Sequence, residues 1–480
     1  MSERSERTHV RSEMVGKAPF SLIYSALMQF VALLIIVVTV VLVVRRYQTH
    51  AVLFISGFAL LTTAYFAQSE ASTNWESLTG LFAFDLFAMV SEAFSNRVAK
   101  IGMIIMAAGG FAKYMSAISA SKALVDLSTK PLSHIKNPYA LLAITYIAGQ
   151  FLNVFIPSAA GLAMLLLVAM YPTLVQLGVR PVAAAAVIGT TACLDLGPAS
   201  PAANVAALTI SISPIEYFIH HQLKITAVVV PVIAALHFFW QRRCDRADDK
   251  TDTVQDFELP ETPATEVSVP LVYALLPLLP LLLLFVFSPL LTTGIHLDVV
   301  TAMLISLAVA MGFEVIRHRG LREALGGITH FFRGMGDVFS SVVTLIVAAE
   351  IFASGVKATG LIDSLISLVE GYSLAGSMMA VVLVLLLGLT ALLTGSGNAA
   401  LFSFAGMIPG ISTRMNASIE SLVLPAQFAG GLFRSVSPVA GVIIAVAGAA
   451  KVTPFAIVRR TSVPMMGGVL ATLLASHWLI

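Results

Sequence analysis

Charge is scarce in this sequence. Asp, Glu, Lys and Arg make up 11% of its 480 residues, where a soluble domain carries about 25%. That poverty excludes an ordinary water-soluble globule. Cysteine is nearly absent as well. Cys193 lies in an apolar segment and Cys244 in a charged stretch, so neither a disulfide framework nor a zinc cluster is expected. There is no Gly-x-x-x-x-Gly-Lys-[Ser/Thr] motif, which argues against nucleotide hydrolysis. A membrane-embedded enzyme would need a His-Glu-x-x-His motif or paired carboxylates in a cavity, and none is found. No basic run with interleaved aromatics occurs and the net charge is only +2, so no nucleic-acid partner is expected. Nothing marks the ring of like residues that a passive channel uses. No cofactor, metal site or catalytic residue is expected.

What the sequence does have is apolar length. It is 58% hydrophobic, with a mean hydropathy of +0.91. Apolar segments fall at about 25–44, 51–67 and 101–118. Broken stretches follow at 139–178 and 181–213, then a segment at 222–240. The pattern restarts at 270–292, 297–315 and 338–354, with broken stretches at 375–411 and 420–449 and a last segment at 457–478. Residues 25–45 are too long for a signal-peptide core and precede Arg45-Arg46, so they are read as a span. The chain therefore divides into a polar N-terminal segment (1–24), a first membrane repeat (25–240), a hydrophilic linker (241–269) and a second membrane repeat (270–480).

One sequence offset ties the halves together. Ser200-Pro201 and Ser437-Pro438 are 237 residues apart (437 − 200), as are Asp126 and Asp363, and Pro172 and Pro409. Internal similarity at one offset marks a duplicated transporter half. If 139–178 and 375–411 are hairpins that re-enter and return, each half crosses about five times, and the halves are inverted. The fold class expected is an all-α polytopic membrane protein with two inverted repeats, two re-entrant hairpins and two discontinuous helices. Placing the N-terminus outside gathers the basic loop residues inside, among them Arg45, Arg46, Arg242, Arg243, Arg317, Arg319, Arg322, Arg333, Arg459 and Arg460, so the linker and the 317–333 loop are expected in the cytoplasm and both termini outside.

The candidate site lies at four polar breaks, because open backbone in hydrocarbon survives only where protein or a polar cavity covers it. The most informative is Leu393-Thr394-Gly395-Ser396-Gly397-Asn398. Its glycines let backbone approach a ligand closely, and Ser396 and Asn398 bring donors and acceptors. Ser158 stands at the corresponding first break, either as a ligand group or as a small residue for helix packing. Ser200-Pro201 and Ser437-Pro438 each combine a good N-cap with proline at the first helical position. Two helix N-termini facing one cavity suit an anion; proline kinks are the alternative. Arg434 and Asp195 flank the remaining breaks, and a charge at bilayer depth is a functional hypothesis by default. Arg434 either grips a substrate carboxylate or bonds the orphan carbonyls of a broken helix. Asp195 and Asn398 are the candidates for a coupling ion, unless Asp195 pairs with Arg434. Lys113 and Glu350, also 237 apart (350 − 113), are expected to form a structural ion pair.

The stretches Thr394-Gly395-Ser396-Gly397-Asn398-Ala399, Arg434-Ser435-Val436-Ser437-Pro438-Val439-Ala440-Gly441 and Ala450-Lys451-Val452-Thr453-Pro454 resemble the anaerobic C4-dicarboxylate carrier family of DcuC type. Leu196-Gly197-Pro198-Ala199-Ser200 and Arg459-Arg460-Thr461-Ser462-Val463-Pro464 resemble it too. The resemblance implies secondary transport of succinate, fumarate or malate across a bacterial inner membrane, by exchange, efflux or proton-linked symport. A carrier of another charged metabolite, such as an amino acid, is the alternative. It also implies a lipid-embedded homodimer, an elevator motion, and coupling to protons or sodium. Sodium-coupled relatives carry Ser-Asn-Thr at both hairpin tips. Here the first tip reads Ser158-Ala159-Ala160, which weakens the case for sodium.

Overall fold

The computed structural model describes residues 28–43, 45, 47–66, 79–130, 135, 137–248, 269–287, 295, 297–360 and 375–480. The described residues contain helices and their connections and no strand. Among the described residues, seven helices are long and apolar enough to cross a membrane. The count is eight if Met103–Ala117 and Ala120–Thr129, bent by 76° at Ser119, make one span. The polar segment 1–24, most of the linker and Asp363 lie outside the described residues.

The chain forms two compact units. The smaller comprises residues 1–95 and 345–375. There Thr49–Phe66 and Phe82–Arg97 pack with part of Thr344–Ala358 around Leu61, Leu86, Ala93, Val347 and Ile351. The closest crossing is at glycine. A Cβ on Gly355 would stand 2.7 Å from Leu60 Cβ and 2.9 Å from the Gly57 carbonyl oxygen, as expected where membrane helices meet through small residues.

The larger unit, residues 96–344 and 376–480, holds all four polar breaks. Its first hairpin is α1 (Pro138–Phe155) and α2 (Ala159–Ala169). The first discontinuous helix follows as α3 (Pro181–Gly189) and α4 (Pro201–Thr209), then the long α5 (Leu223–Asp248). The second half repeats this order. α6 (Ala375–Thr394) and α7 (Gly397–Ala405) form a hairpin, α8 (Ile419–Arg434) and α9 (Gly441–Ala449) a broken helix, and α10 (Pro454–Leu479) the closing long helix. Packing is reciprocal between the halves: α2 lies against α9, and α4 against α7.

Two details depart from the sequence reading. The stretch expected as one span at 270–292 is a 3-10 turn, Leu271–Leu278, followed by a short α-helix, Leu279–Val286. Pro277 and Pro280 explain this, since neither can donate an i→i−4 bond. And α5 runs on through Asp248, so residues 241–248 of the expected linker are helical.

The offset of 237 also drifts. The hairpin caps Ser158 and Ser396 are 238 apart (396 − 158), and the second pair of breaks is capped by Ser200 and Ala440, 240 apart (440 − 200). A π-helical turn between two α-helices recurs at Val98–Gly102 and Phe339–Val343, 241 apart (339 − 98). Ser200 and Ser437 are therefore not equivalent positions. Ser437-Pro438 does not start a helix; α9 begins three residues later, after Ala440. The Ser437 hydroxyl is instead committed to the Leu392 carbonyl at 2.6 Å, one of the orphan acceptors at the end of α6.

Candidate functional site

Three of the four breaks are capped helix starts. Ser158 Oγ accepts the Gly161 N–H at 3.2 Å, Ser200 Oγ the Ala203 N–H at 3.4 Å, and Ser396 Oγ the Ala399 N–H at 3.2 Å. Each cap satisfies one donor of the first turn and leaves others free. Gly397 opens α7 because the backbone there is crowded. A Cβ on Gly397 would lie 2.5 Å from the Gly430 carbonyl oxygen of α8. The second hairpin tip is thus pressed against α8, with Asn398 in the first turn of α7.

The end of α8 meets the first discontinuous helix in the same way. A Cβ on Gly431 would stand 2.2 Å from the Cys193 carbonyl oxygen and 3.2 Å from an Asp195 carboxylate oxygen. Arg434, the last residue of α8, reaches into the break between α3 and α4. Its Nη2 donates to the Ala192 carbonyl at 2.8 Å and to Asp195 Oδ1 at 3.3 Å, and Nη1 pairs with Asp195 Oδ2 at 3.3 Å. Both alternative partners read from the sequence, the orphan carbonyl and the carboxylate, are taken together. The side chains are 12% and 14% exposed.

That arrangement commits both terminal nitrogens of the guanidinium and leaves Nε. Arg434 Nε is buried with no hydrogen-bond partner, and so is Asn398 Oδ1. A buried donor on a charged group is costly to leave unpaired. An arginine Nε is one of the donors with which a guanidinium grips a carboxylate.

The structure brings together Arg434, Asp195, Gly397 and Ser437 through α8 and the α6–α7 tip. Ser200 lies just beyond Asp195 on the same broken helix. Ser158 is exposed, and no described hydrogen bond links it to this group. Its neighbour Pro157 lines a small apolar recess with Pro198, Ala199 and Phe111. Lys113 is paired with Asp337, a partner the sequence reading did not name. Glu350 belongs to the smaller unit.

Sequence reading missed a set of amides. Gln427 Oε1 accepts from the Tyr217 hydroxyl at 2.7 Å and from Gln222 Nε2 at 3.1 Å. Its Nε2 donates to the carbonyls of Leu194 (3.4 Å) and Asp195 (3.2 Å). Gln222 Oε1 takes the Gly197 N–H at 3.0 Å, and Asn153 Oδ1 the Leu196 N–H at 3.1 Å. The available signal was three amides, Gln150, Asn153 and Gln427, in otherwise apolar runs, each of which must find partners when buried; Gln222, beside His220, His221 and Lys224, gave none.

Comparison with known proteins places this architecture. Residues 27–478 match the family model described as C4-dicarboxylate anaerobic carrier, DcuC. The chain belongs to the DcuC carrier family. It is a carrier rather than an enzyme, and a multi-pass protein of the bacterial inner membrane. It is 34% identical to the anaerobic C4-dicarboxylate transporter DcuC of Escherichia coli strain CFT073, over 95% of this chain and 98% of that one. The probable anaerobic C4-dicarboxylate transporter DcuC of Vibrio cholerae is 32% identical, over 91% and 95% of the two chains. The solved structure of Neisseria gonorrhoeae MtrF, described among antimetabolite efflux pumps, shares the fold. Its TM-score is 0.59 at 13% identity, over 91% of this chain and 96% of that one.

Proposed function

We propose that this carrier moves succinate, fumarate or malate as a secondary transporter, by exchange, efflux or proton-linked symport. The observation that carries the reading is the buried, unpartnered Nε of Arg434. It is an uncommitted donor on a fixed positive group, beside the N–H groups at the starts of α4 and α7. One substrate carboxylate takes that donor, and Asn398 and Ser396 stand on the hairpin tip beside it. Asp195 neutralises the guanidinium when the site is empty. It and Asn398 remain the proposed coupling-ion residues, for a proton or for sodium. Ser437, with its hydroxyl committed to Leu392, contributes by holding the hairpin.

The recurring element order and the reciprocal packing of α2 on α9 and α4 on α7 support two repeats in inverted orientation. With that we propose an elevator motion and a homodimer. A cytoplasmic linker goes with this topology. A cysteine introduced at Asp252 should resist impermeant reagents in right-side-out cells, and its labelling there would reverse the assignment. The function itself is tested by counterflow of labelled succinate in proteoliposomes against unlabelled competitors. Competition by fumarate and malate but not by amino acids is expected. Counterflow driven only by amino acids would replace the dicarboxylate reading.

A further inference from the structure

Asp195 has a left-handed backbone, with φ of 48°. For a residue other than glycine such a conformation is uncommon, although aspartate adopts it more readily than most. The backbone on either side supplies four polar groups with no partner inside a helix: the carbonyls of Leu194 and Asp195 and the N–H groups of Leu196 and Gly197. Every one is met by an amide from another element, Gln427 on α8, Gln222 just before α5, and Asn153 on α1.

The orientations of two of these amides determine one another. Gln222 accepts the Gly197 N–H, so the group it turns towards Gln427 is its NH2. Gln427 must then present its oxygen to Gln222, an orientation the Tyr217 hydroxyl reinforces. Its own NH2 is left facing the two carbonyls. Gln427 is 1% exposed and Gln222 is fully buried. Flipping either amide would set donor against donor and oxygen against oxygen without solvent to relieve it.

We propose that Gln427 is a positioning residue for the binding site. It holds the Leu194–Asp195 backbone in the left-handed turn, and thereby keeps the Asp195 carboxylate on the terminal nitrogens of Arg434 and Nε uncommitted. This rests on the dicarboxylate reading above. Gln427 touches no substrate in this account; it acts through Asp195 and Arg434, the latter two helical turns further along α8.

The test is Gln427→Glu beside Gln427→Leu, in the full chain with Cys244→Ala, leaving Cys193 as the one thiol. Protonated, the glutamic acid keeps one donor for the Asp195 carbonyl and still accepts from Tyr217 and Gln222. Ionised, it sets a carboxylate against two carbonyl oxygens. The titratable and charged groups around it are Tyr217, with His221 stacked on it at 5.8 Å, then Cys193, Asp195 and Arg434. Two readouts are taken relative to the Cys244→Ala parent at each pH: the KM for succinate counterflow, and the alkylation rate of Cys193, buried two residues from Asp195.

At low pH both should match the parent within about twofold. As pH rises, KM for Gln427→Glu should climb at least tenfold with little change in maximal rate, and Cys193 alkylation should rise in parallel. Gln427→Leu, if it folds, should show the raised KM at every pH. Unchanged alkylation across pH in Gln427→Glu overturns the positioning role whatever succinate does. Alkylation that rises while KM stays flat overturns the link to binding, and points to failure of the dicarboxylate site rather than of the turn.

Discussion

Replacing Arg434 by alanine removes the fixed cation of the site, and the structure allows its consequence to be sized. The change deletes hydrogen bonds to the Ala192 carbonyl and to Asp195, and leaves the 14%-exposed Asp195 carboxylate without its partner. Truncating one member of a buried, hydrogen-bonded charge pair costs about 2–5 kcal/mol, or on the order of 30-fold or more in affinity at about 1.4 kcal/mol per decade. Ligand stabilisation of a folded protein grows as RT ln(1 + [L]/Kd), about 2.7 kcal/mol at one hundred times Kd. A 30-fold weaker Kd at the same succinate concentration reduces this to about 0.9 kcal/mol. The assay is thermal unfolding of purified protein across a succinate titration, which reads binding separately from transport. The structural effect is separated by a cycle. Asp195→Asn alone should still be stabilised by succinate. Asp195→Asn with Arg434→Ala should recover the stability lost in Arg434→Ala, because no unpaired carboxylate remains, yet gain nothing from succinate. Arg434→Lys keeps the charge, loses the fork and should bind weakly. Ser396→Ala and Asn398→Ala should do less, each removing one neutral partner. If Arg434→Ala is stabilised by succinate at wild-type concentrations, Arg434 is only a cap joining α8 to the broken helix, and the site must be rebuilt from Ser396 and Asn398.

Further predictions concern the frame. Arg460, 1% exposed on α10, donates to Gln241, Asp245 and Asp248 of α5, and Gln241 Nε2 returns a bond to the Arg460 carbonyl that Pro464 leaves free. Arg460→Met should destabilise by about 3–5 kcal/mol, the range for breaking a buried pair, with partial recovery on adding Asp245→Asn; equal melting of Arg460→Met and wild type would refute this. Asp298 caps the helix Val299–His318, accepting the Val300 and Thr301 N–H groups at 2.9 and 3.1 Å. Burial raises its pKa, but the hydrogen bonds from Thr301 and Val300 outweigh that and leave it below the usual carboxylate value. The cap's contribution is therefore present above the unfolded value of about 3.9 and lost as pH falls through the lower folded one. Asp298→Ala should cost about 0.5–2 kcal/mol at neutral pH, a difference that shrinks in acid; a pH-independent difference would rule out the carboxylate as the cap. For Lys113, exchanging its charge with Asp337 should restore the folded yield that Lys113→Ala lowers. Recovery only on exchange with Glu350 would favour the pair proposed from the sequence offset.

Much of the scaffold was readable in advance, because hydropathy is imposed by the solvent. Most of the apolar segments, and Ser200 as the cap of α4, follow from apolar length and N-cap chemistry alone. Ser437-Pro438 was misread because a serine–proline pair looks the same whether its hydroxyl caps the next helix or ties down a neighbouring one. The fixed offset failed because the equivalent breaks drift from 238 to 240 residues apart, so single-residue matches at 237 paired the wrong serine. Asp195 and Arg434 were singled out as charges at depth, but their pairing is a tertiary fact. Gln427 and Gln222 drew no notice, since an uncharged amide carries no sequence mark of what it faces. Arg460 was counted among basic loop residues, although Pro464 four positions later hinted at an unmet carbonyl beside it.

The short helices carry a consequence for how the protein is made. With nine residues each, α4, α7 and α9 are about 14 Å long, about half the hydrocarbon thickness. None of them can be threaded into lipid alone as a stable span, because its open ends would face hydrocarbon. Each is completed by a partner from the other half, α4 by α7 and α9 by α2. The first half of the chain, before the second half is made, therefore lacks the second-half partners that α2 and α4 pack against in the finished fold. Assembly of this carrier is a post-insertion event, in which the two halves finish each other's membrane integration.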